Sequence, residues 1–253
     1  MVLRPDADAV IAIGQPAHAW LSGQLARAWG NERFGAVEPW EEVCLGAEQH
    51  DTGMAAYDAR PELNPETGRP RAFTELDLDT HLELWSGAAE RVLPQSRYAA
   101  LLVSLHGTAL QARRAPTPAV RAFLAAQRAL QDELVAALRA DPRTAAAAAE
   151  DRVRRNQRLV WTWDSLSLGL LLDWWPYALE AVPAADGAVD VAVRAGRDGR
   201  IVLEPWPFSA PRITVRCEGR RLEGRYGDEA AMRAALAASP WVTLEFALSA
   251  PTP

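Results

Sequence analysis

Gln49-His50-Asp51-Thr52-Gly53 places a histidine and an aspartate side by side, directly after a helix predicted over residues 41–49. Imidazole nitrogens and carboxylate oxygens are ligands that first-row divalent metals bind in proteins. Because a carboxylate has two oxygens, Asp51 can bridge to a second metal while His50 binds the first. Gly53 lets the backbone turn or approach another element closely. The segment therefore predicts a metal site at the end of a helix.

The other histidines of the chain fit the same site. Its four histidines and two of its aspartates follow the order H…HD…H…H…D. The six predicted metal ligands are His18, His50, Asp51, His81, His106 and Asp164. We expect His18 and Asp164 to complete the shell of the first metal, and His81 and His106 to hold the second. A ligand set of nitrogen and oxygen without thiolate favours iron or manganese, so two divalent ions are the expected cofactors.

Each of these residues also has an ordinary structural interpretation. His18 and His81 lie near predicted helix starts, where a single histidine is more often a cap or a surface residue. His106 interrupts an apolar helix and could donate a hydrogen bond to a backbone carbonyl. Asp164 is harder to explain in this way, because an unpaired buried carboxylate is energetically costly. The metal hypothesis therefore depends on the whole set of six residues.

The composition restricts the class of protein. The chain has 253 residues, 49% of them hydrophobic, which is enough to bury a sizeable core. A net charge of −6 argues against long nucleic acids as partners, because binding them requires many cations that neutralise phosphates. Every basic residue is arginine, so lysine Schiff-base chemistry is excluded. No apolar run is long enough to span a membrane, and we expect a cytoplasmic protein without a membrane partner.

Helical spacing of apolar residues dominates the first two thirds of the chain. It predicts helices that begin at Pro16 and near residues 41, 81, 98, 118 and 144. Thr80 and Glu83 predict a capping box at the start of the helix near residue 81. From residue 186 alternation predicts a small antiparallel sheet, with a turn at Arg197-Asp198-Gly199 and one helix over residues 228–238. We therefore expect a mainly α protein with a helical metal-binding domain over residues 1–180 and a small α+β subdomain over residues 186–253.

Acids and arginines near the predicted ligands are candidates for catalysis and substrate binding. Glu48 and Asp58 are the acids nearest the doublet and, with Asp51, could act as general bases or orient a ligand imidazole. Arg113 lies two helical turns after the last histidine and could bind a phosphate group from the metal-facing side. Arg69 is a similar candidate in a loop rich in proline and glycine. Glu48 could equally be a surface acid, and Arg113 a cation at a helix end.

The His50-Asp51 doublet and Asp164 resemble the metal ligands of the HD superfamily of metal-dependent phosphohydrolases. The matching residues are His18, Gln49-His50-Asp51-Thr52-Gly53 and Trp163-Asp164-Ser165-Leu166-Ser167. The interposed His81 and His106 resemble the binuclear branch of that superfamily, which includes both phosphohydrolases and di-iron oxygenases. The resemblance covers about residues 10–180 and implies an HD-type helical bundle with two metal ions. The chain departs from the HD-GYP pattern, because no Gly-Tyr-Pro motif follows, and from many hydrolases, because no lysine follows Gly53.

Four motifs more closely resemble an uncharacterised bacterial family, the domain of unknown function 3891. These motifs are Gln15-Pro16-Ala17-His18, Glu48-Gln49-His50-Asp51, Asn64-Pro65-Glu66-Thr67-Gly68-Arg69-Pro70 and Ser104-Leu105-His106-Gly107. The resemblance implies an all-helical metal domain and implies no particular substrate.

Three functions are compatible with these observations. The first is a binuclear phosphohydrolase that acts on a small phosphoester, with metal-bound hydroxide as the nucleophile. The second is a mixed-valent di-iron oxygenase that acts on a small polar substrate through the same ligands. The third is a non-enzymatic module that binds a metal or a ligand. In each case the expected partner is a small molecule, and formation of a homodimer is one role open to the C-terminal sheet.

Overall fold

A computed structural model describes residues 1–196 and 199–251 of the chain. Within these residues, nine α-helices pack with one large sheet and a small hairpin. The helices are α1 (Gln15–Ala28), α2 (Trp40–Gln49), α3 (Ala55–Ala59), α4 (Leu78–Ser86), α5 (Ala88–Val92), α6 (Arg97–Gln111), α7 (Pro118–Ala140), α8 (Glu150–Leu172) and α9 (Glu229–Ala238). None of the described helices is both long and apolar enough to cross a membrane.

The strands come from both ends of the chain. They are β1 (Val2–Asp6), β2 (Ala9–Ile13), β3 (Leu63–Asn64), β4 (Arg69–Pro70), β5 (Tyr177–Ala184), β6 (Gly187–Ala195), β7 (Ile201–Glu204), β8 (Arg212–Leu222) and β9 (Trp241–Ser249). Seven of them form one sheet in the order β1-β2-β8-β9-β7-β6-β5, and β3 pairs with β4 separately. Neighbouring strands are antiparallel except for β7 and β9, which are parallel.

This sheet shows that the predicted fold class is wrong. The sequence predicts a mainly α protein, an HD-type helical bundle with a small C-terminal antiparallel sheet plus one helix, whereas about 48% of the chain is helix and 23% is strand in a seven-stranded sheet. The N-terminal β2 joins that sheet by pairing with β8, for example Val10 with Leu222. A five-residue strand is too short to show a clear alternation, and no local pattern reveals a partner so far along the chain.

The predicted division of the chain coincides with a turn inside the sheet. Residues 180–186 include the end of β5 and the turn into β6. Strands from both predicted segments lie in the same sheet, because β1 and β2 belong to the first segment and β6 to β9 belong to the second.

Most predicted helices are confirmed, with two differences. The third predicted helix is divided at Gly87 into α4 and α5. Helix α4 begins at Leu78, and its cap is Asp77, whose side chain accepts a hydrogen bond of 2.8 Å from the backbone nitrogen of Thr80. Helix α8 begins at Glu150 rather than near residue 144. The turn predicted at 197–199 includes Arg197 and Asp198, which lie outside the described residues.

Helices α1, α2, α6 and α8 pack around one another, and α1 also contacts β8. Their contact faces are apolar and fully buried, as Leu21 of α1, Leu102 of α6 and Trp163 of α8 show. Gly53, just after the doublet, confirms the predicted close approach, because a Cβ atom there would lie 2.5 Å from the carbonyl oxygen of Leu84. Close packing therefore fixes the segment that carries His50 and Asp51.

Candidate metal centre

Five of the six predicted ligands meet at the centre of these four helices. His18 lies on α1, His50 and Asp51 follow the end of α2, His106 lies on α6 and Asp164 lies on α8. Each of the five is at most 7% exposed. We call these five residues the cluster. Elements that are distant in sequence thus bring imidazole and carboxylate groups into one buried space.

Short distances between side-chain atoms define the cluster. The Nε2 atom of His18 lies 3.0 Å from Oδ1 of Asp164, 3.2 Å from Nε2 of His50 and 3.4 Å from Oδ2 of Asp51. The Nε2 atom of His50 lies 3.4 Å from Oδ1 of Asp164. His106 is slightly further away, with its Nε2 atom 3.7 Å from Oδ2 of Asp164.

The hydrogen bonds behind the cluster fix which nitrogen of each ring is available. The Nδ1–H of His50 donates to the carbonyl oxygen of Ala47 at 2.7 Å, because a carbonyl can only accept. The Oγ atom of Ser167 donates to the carbonyl of Asp164 at 2.9 Å, so it accepts from Nδ1–H of His18 at 2.8 Å. Both Nε2 atoms therefore present a lone pair to the cluster when the rings are neutral. Backbone or hydroxyl partners of this kind orient histidines that bind metals.

The pKa values show that the cluster attracts positive charge. Burial lowers the pKa of His50, but attraction to Asp51 and a hydrogen bond with Asp164 outweigh it and raise the pKa to about 9. Burial opposes ionisation of Asp164, yet the His18 and His50 rings, which donate Nε2–H hydrogen bonds to it when they carry a proton, hold its pKa well below the usual range. Burial, together with the charge of His50, lowers the pKa of His106 to about 3. A proton on His50 thus balances part of the carboxylate charge in the absence of another cation.

The cluster fits a divalent metal ion. Two groups of donor atoms have all members within 4.8 Å of one another, namely His18 with His50 and Asp51, and His50 with His106 and Asp164. Two lone pairs facing each other across 3.2 Å repel each other unless a proton or a metal ion lies between them, and the adjacent carboxylates supply negative charge for either cation. Nitrogen and oxygen donors of this type suit iron, manganese or another borderline metal.

His81 is the predicted ligand that the structure does not bring into the cluster. Its Nε2–H donates to the carbonyl oxygen of Phe73 at 3.0 Å. Its Nδ1 atom is buried and, within the described residues, has no hydrogen-bond partner. His81 nevertheless lines a cavity of about 280 Å³ that Asp51, His106 and Asp164 of the cluster also line. The predicted role of His81 in a second metal site therefore remains a prediction.

The two acids proposed as catalytic besides Asp51 do not line this cavity. Glu48 forms an ion pair with Arg27 at the protein surface. The carboxylate of Asp58 lies 2.6 Å from the amino nitrogen of Met1 and accepts a hydrogen bond from the backbone N–H of Gln15. Only Asp51 of the three lies both in the cluster and at the cavity.

The two arginines proposed to bind substrate also lie elsewhere. The guanidinium of Arg113 stacks over the ring of Trp161 at 4.4 Å, and that of Arg69 donates to the carbonyl of Asp8 at 2.9 Å. The prediction for Arg113 assumed that α6 continues for two turns after His106. Helix α6 ends at Gln111, so helical spacing does not apply to Arg113.

Three residues that sequence reasoning missed line the cavity instead. They are Gln15 of α1, Gln111 of α6 and Arg114 in the segment that follows α6. Gln15 precedes His18 by three residues on the same helix, so helical spacing could have placed it beside the site. No comparable spacing identifies Arg114, because it lies beyond the helix end. Apolar side chains, including Trp85, complete the cavity wall.

A family model described as DUF3891, protein of unknown function, matches residues 1–224 of the chain. The chain therefore belongs to this family. No curated protein and no solved structure matches the chain.

Proposed function

We propose that this protein is a metal-dependent phosphohydrolase that uses HD-type ligands and acts on a small phosphoester. The observation that carries the proposal is the pair of facing Nε2 lone pairs of His18 and His50 between two carboxylates. The cluster is also adjacent to a cavity, which gives a substrate a place beside the metal.

The residues have distinct roles in this proposal. His18, His50, Asp51 and Asp164 hold the first ion, and Ser167 and Ala47 orient the two imidazoles. When bound, a divalent ion in such a site polarises a phosphoryl oxygen and lowers the pKa of a coordinated water molecule.

Asp51, His106 and Asp164 line the cavity, so they lie next to a substrate bound there. Asp51 lies both in the cluster and at the cavity, so a carboxylate oxygen that does not bind the ion is placed to accept a proton during the reaction. His106 is neutral near pH 7, because its pKa is lowered to about 3, and so it does not repel a cation.

A second ion remains part of the proposal through His106 and His81. The Nε2–H of His81 is fixed by a backbone carbonyl and its Nδ1 atom has no partner in the described residues, which is the arrangement expected of a ligand. His81 belongs to neither of the two groups of donor atoms that lie within 4.8 Å of one another. Binding of a second ion by His81 and His106 therefore requires His81 and the cluster to move closer together.

The test is turnover of a phosphoester panel by protein loaded with manganese or iron, beside the variant Asp164→Asn. We expect the variant to lose metal and hydrolysis together, because its amide oxygen is a much weaker ligand than a carboxylate. Asp151→Asn is the matched control, since Asp151 is an exposed aspartate on the same helix. Failure of the loaded wild-type protein to hydrolyse any panel member refutes the proposal. Oxygen uptake in that case indicates the oxygenase, and metal-dependent stability without turnover indicates a binding module.

A further inference from the structure

The cavity beside the cluster has a polar wall that the proposed metal chemistry does not use. It consists of Gln15, Gln111 and Arg114, and we call it the polar wall. Asp51, His106 and Asp164 of the cluster line the same cavity, together with Thr74 and apolar side chains such as Leu110 and Leu168.

The two glutamines carry buried acceptors that lack partners. Gln15 is 3% exposed and Gln111 is 1% exposed, and the Oε1 atom of each has no hydrogen-bond partner in the described residues. A buried polar atom without a partner is costly, so each of these oxygens needs a hydrogen-bond donor from water or from a ligand in the cavity. A hydroxyl group both donates and accepts, so it satisfies a glutamine amide in either orientation.

Arg114 brings a positive charge to the same cavity. It is an exposed residue, and among the described residues its guanidinium has no ion pair. The adjacent Arg113, by contrast, is stacked on Trp161. Arg114 lines the cavity together with the two glutamines. A guanidinium at a cavity is suited to a carboxylate or phosphate, which it binds through two parallel hydrogen bonds.

We propose that the polar wall selects a phosphoester that carries a free hydroxyl group and a second anionic group. The phosphoester lies at the cluster, the hydroxyl group binds Gln15 and Gln111, and the second anion binds Arg114. This inference rests on the proposed function. A cavity of about 280 Å³ is smaller than those that hold drug-sized ligands, so the carbon chain of the substrate is short.

The first experiment compares substrates that differ mainly in the second anion. One pair is 3-phosphoglycerate and glycerol 3-phosphate, which tests a carboxylate. The other pair is fructose 1,6-bisphosphate and fructose 6-phosphate, which tests a phosphate. We expect the wild-type protein to prefer the member that carries the second anionic group in at least one pair, by about 10- to 100-fold in kcat/KM, mainly through KM.

The variant Arg114→Gln should remove this preference, because it keeps the length of the side chain and loses the charge. Arg113→Gln is the matched control and should keep the preference, since Arg113 does not line the cavity. Gln111→Leu should reduce the preference for 3-phosphoglycerate over 3-phosphonooxypropionate, which lacks the hydroxyl group. The melting temperature of each variant shows whether it is folded.

A binding measurement separates this inference from the proposed function. Isothermal titration calorimetry with the same compounds and the protein as purified reports affinity without turnover. If no compound is hydrolysed but 3-phosphoglycerate or the bisphosphate binds more tightly in an Arg114-dependent manner, the selective wall stands and the hydrolase proposal fails. If phosphoesters are hydrolysed but neither pair is distinguished, or Arg114→Gln behaves like Arg113→Gln, the inference is overturned while the hydrolase proposal stands. If neither turnover nor selective binding occurs, both are overturned.

Discussion

The Nε2 atoms of His18 and His50 lie 3.2 Å apart, although the other nitrogen of each ring already donates its hydrogen to a protein oxygen. Two neutral imidazoles in this arrangement repel each other through their lone pairs. The contact is therefore stable only with a cation, either a proton on one ring or a metal ion between them.

Ser167→Ala should weaken metal binding, because Ser167 orients the imidazole of His18. Removing a partner of this kind typically lowers metal affinity by about 10- to 100-fold. Titration of metal-free protein with manganese measures the change. Ser165→Ala on the same helix is the control, since the side chain of that serine lines a different pocket and, within the described residues, has no hydrogen bond with the cluster. Equal affinity in the two variants contradicts the assigned orientation of His18.

Metal binding should release a proton near pH 7.5. The pKa of His50 is raised to about 9, so the ring is protonated at that pH in metal-free protein, and binding requires its deprotonated form. Apparent affinity should therefore rise with pH up to about 9, by roughly tenfold per unit for one proton. Calorimetry in two buffers of different ionisation enthalpy counts the released protons. An affinity that is independent of pH between 6 and 8 contradicts this expectation.

Gly53→Ala should destabilise the protein by about 1–3 kcal/mol, the usual cost of forcing an extra group into a packed site. The added Cβ atom would lie 2.5 Å from the carbonyl oxygen of Leu84, and backbone cannot move aside easily. Urea denaturation measures the free energy of unfolding. Gly87→Ala is the control, because nothing lies within 4 Å of a Cβ atom there, and its effect should stay within about 0.5 kcal/mol. Similar stability of the two variants would show that the segment after the doublet is loosely packed.

The number of ions per chain tests the role of His81. If His81 and His106 hold a second ion, elemental analysis should give two ions per wild-type chain and one in His81→Ala. If the wild-type protein binds a single ion and His81→Ala retains it, the site has one ion, and His81 serves only to line the cavity.

The sequence predicts which side chains meet at the cluster better than it predicts the fold. His50 and Asp51 are adjacent, and His106 and Asp164 stand out because a histidine or an acid among apolar helical residues needs a partner. The seven-stranded sheet could not be predicted in the same way, because β2 is five residues long and its partner β8 lies about two hundred residues away. Strand pairing over such a distance depends on tertiary packing, which local periodicity does not report.

Residues that face the cavity from outside regular helices were equally hard to predict. The prediction for Arg113 depends on helical spacing from His106, but α6 ends at Gln111. Neighbouring residues in a non-helical segment can point to different surfaces. The guanidinium of Arg113 stacks over the ring of Trp161, whereas Arg114 lines the cavity. Glu48 and Asp58 were chosen for nearness in sequence, yet other partners hold both side chains.

A crystal structure of metal-loaded protein, with anomalous data collected at the absorption edge of the bound metal, tests the central claim most directly. We expect an anomalous peak between the Nε2 atoms of His18 and His50, about 2.0–2.2 Å from each, with Asp51 and Asp164 completing the shell. A peak elsewhere, or none at this position in protein that carries stoichiometric metal, would contradict the account.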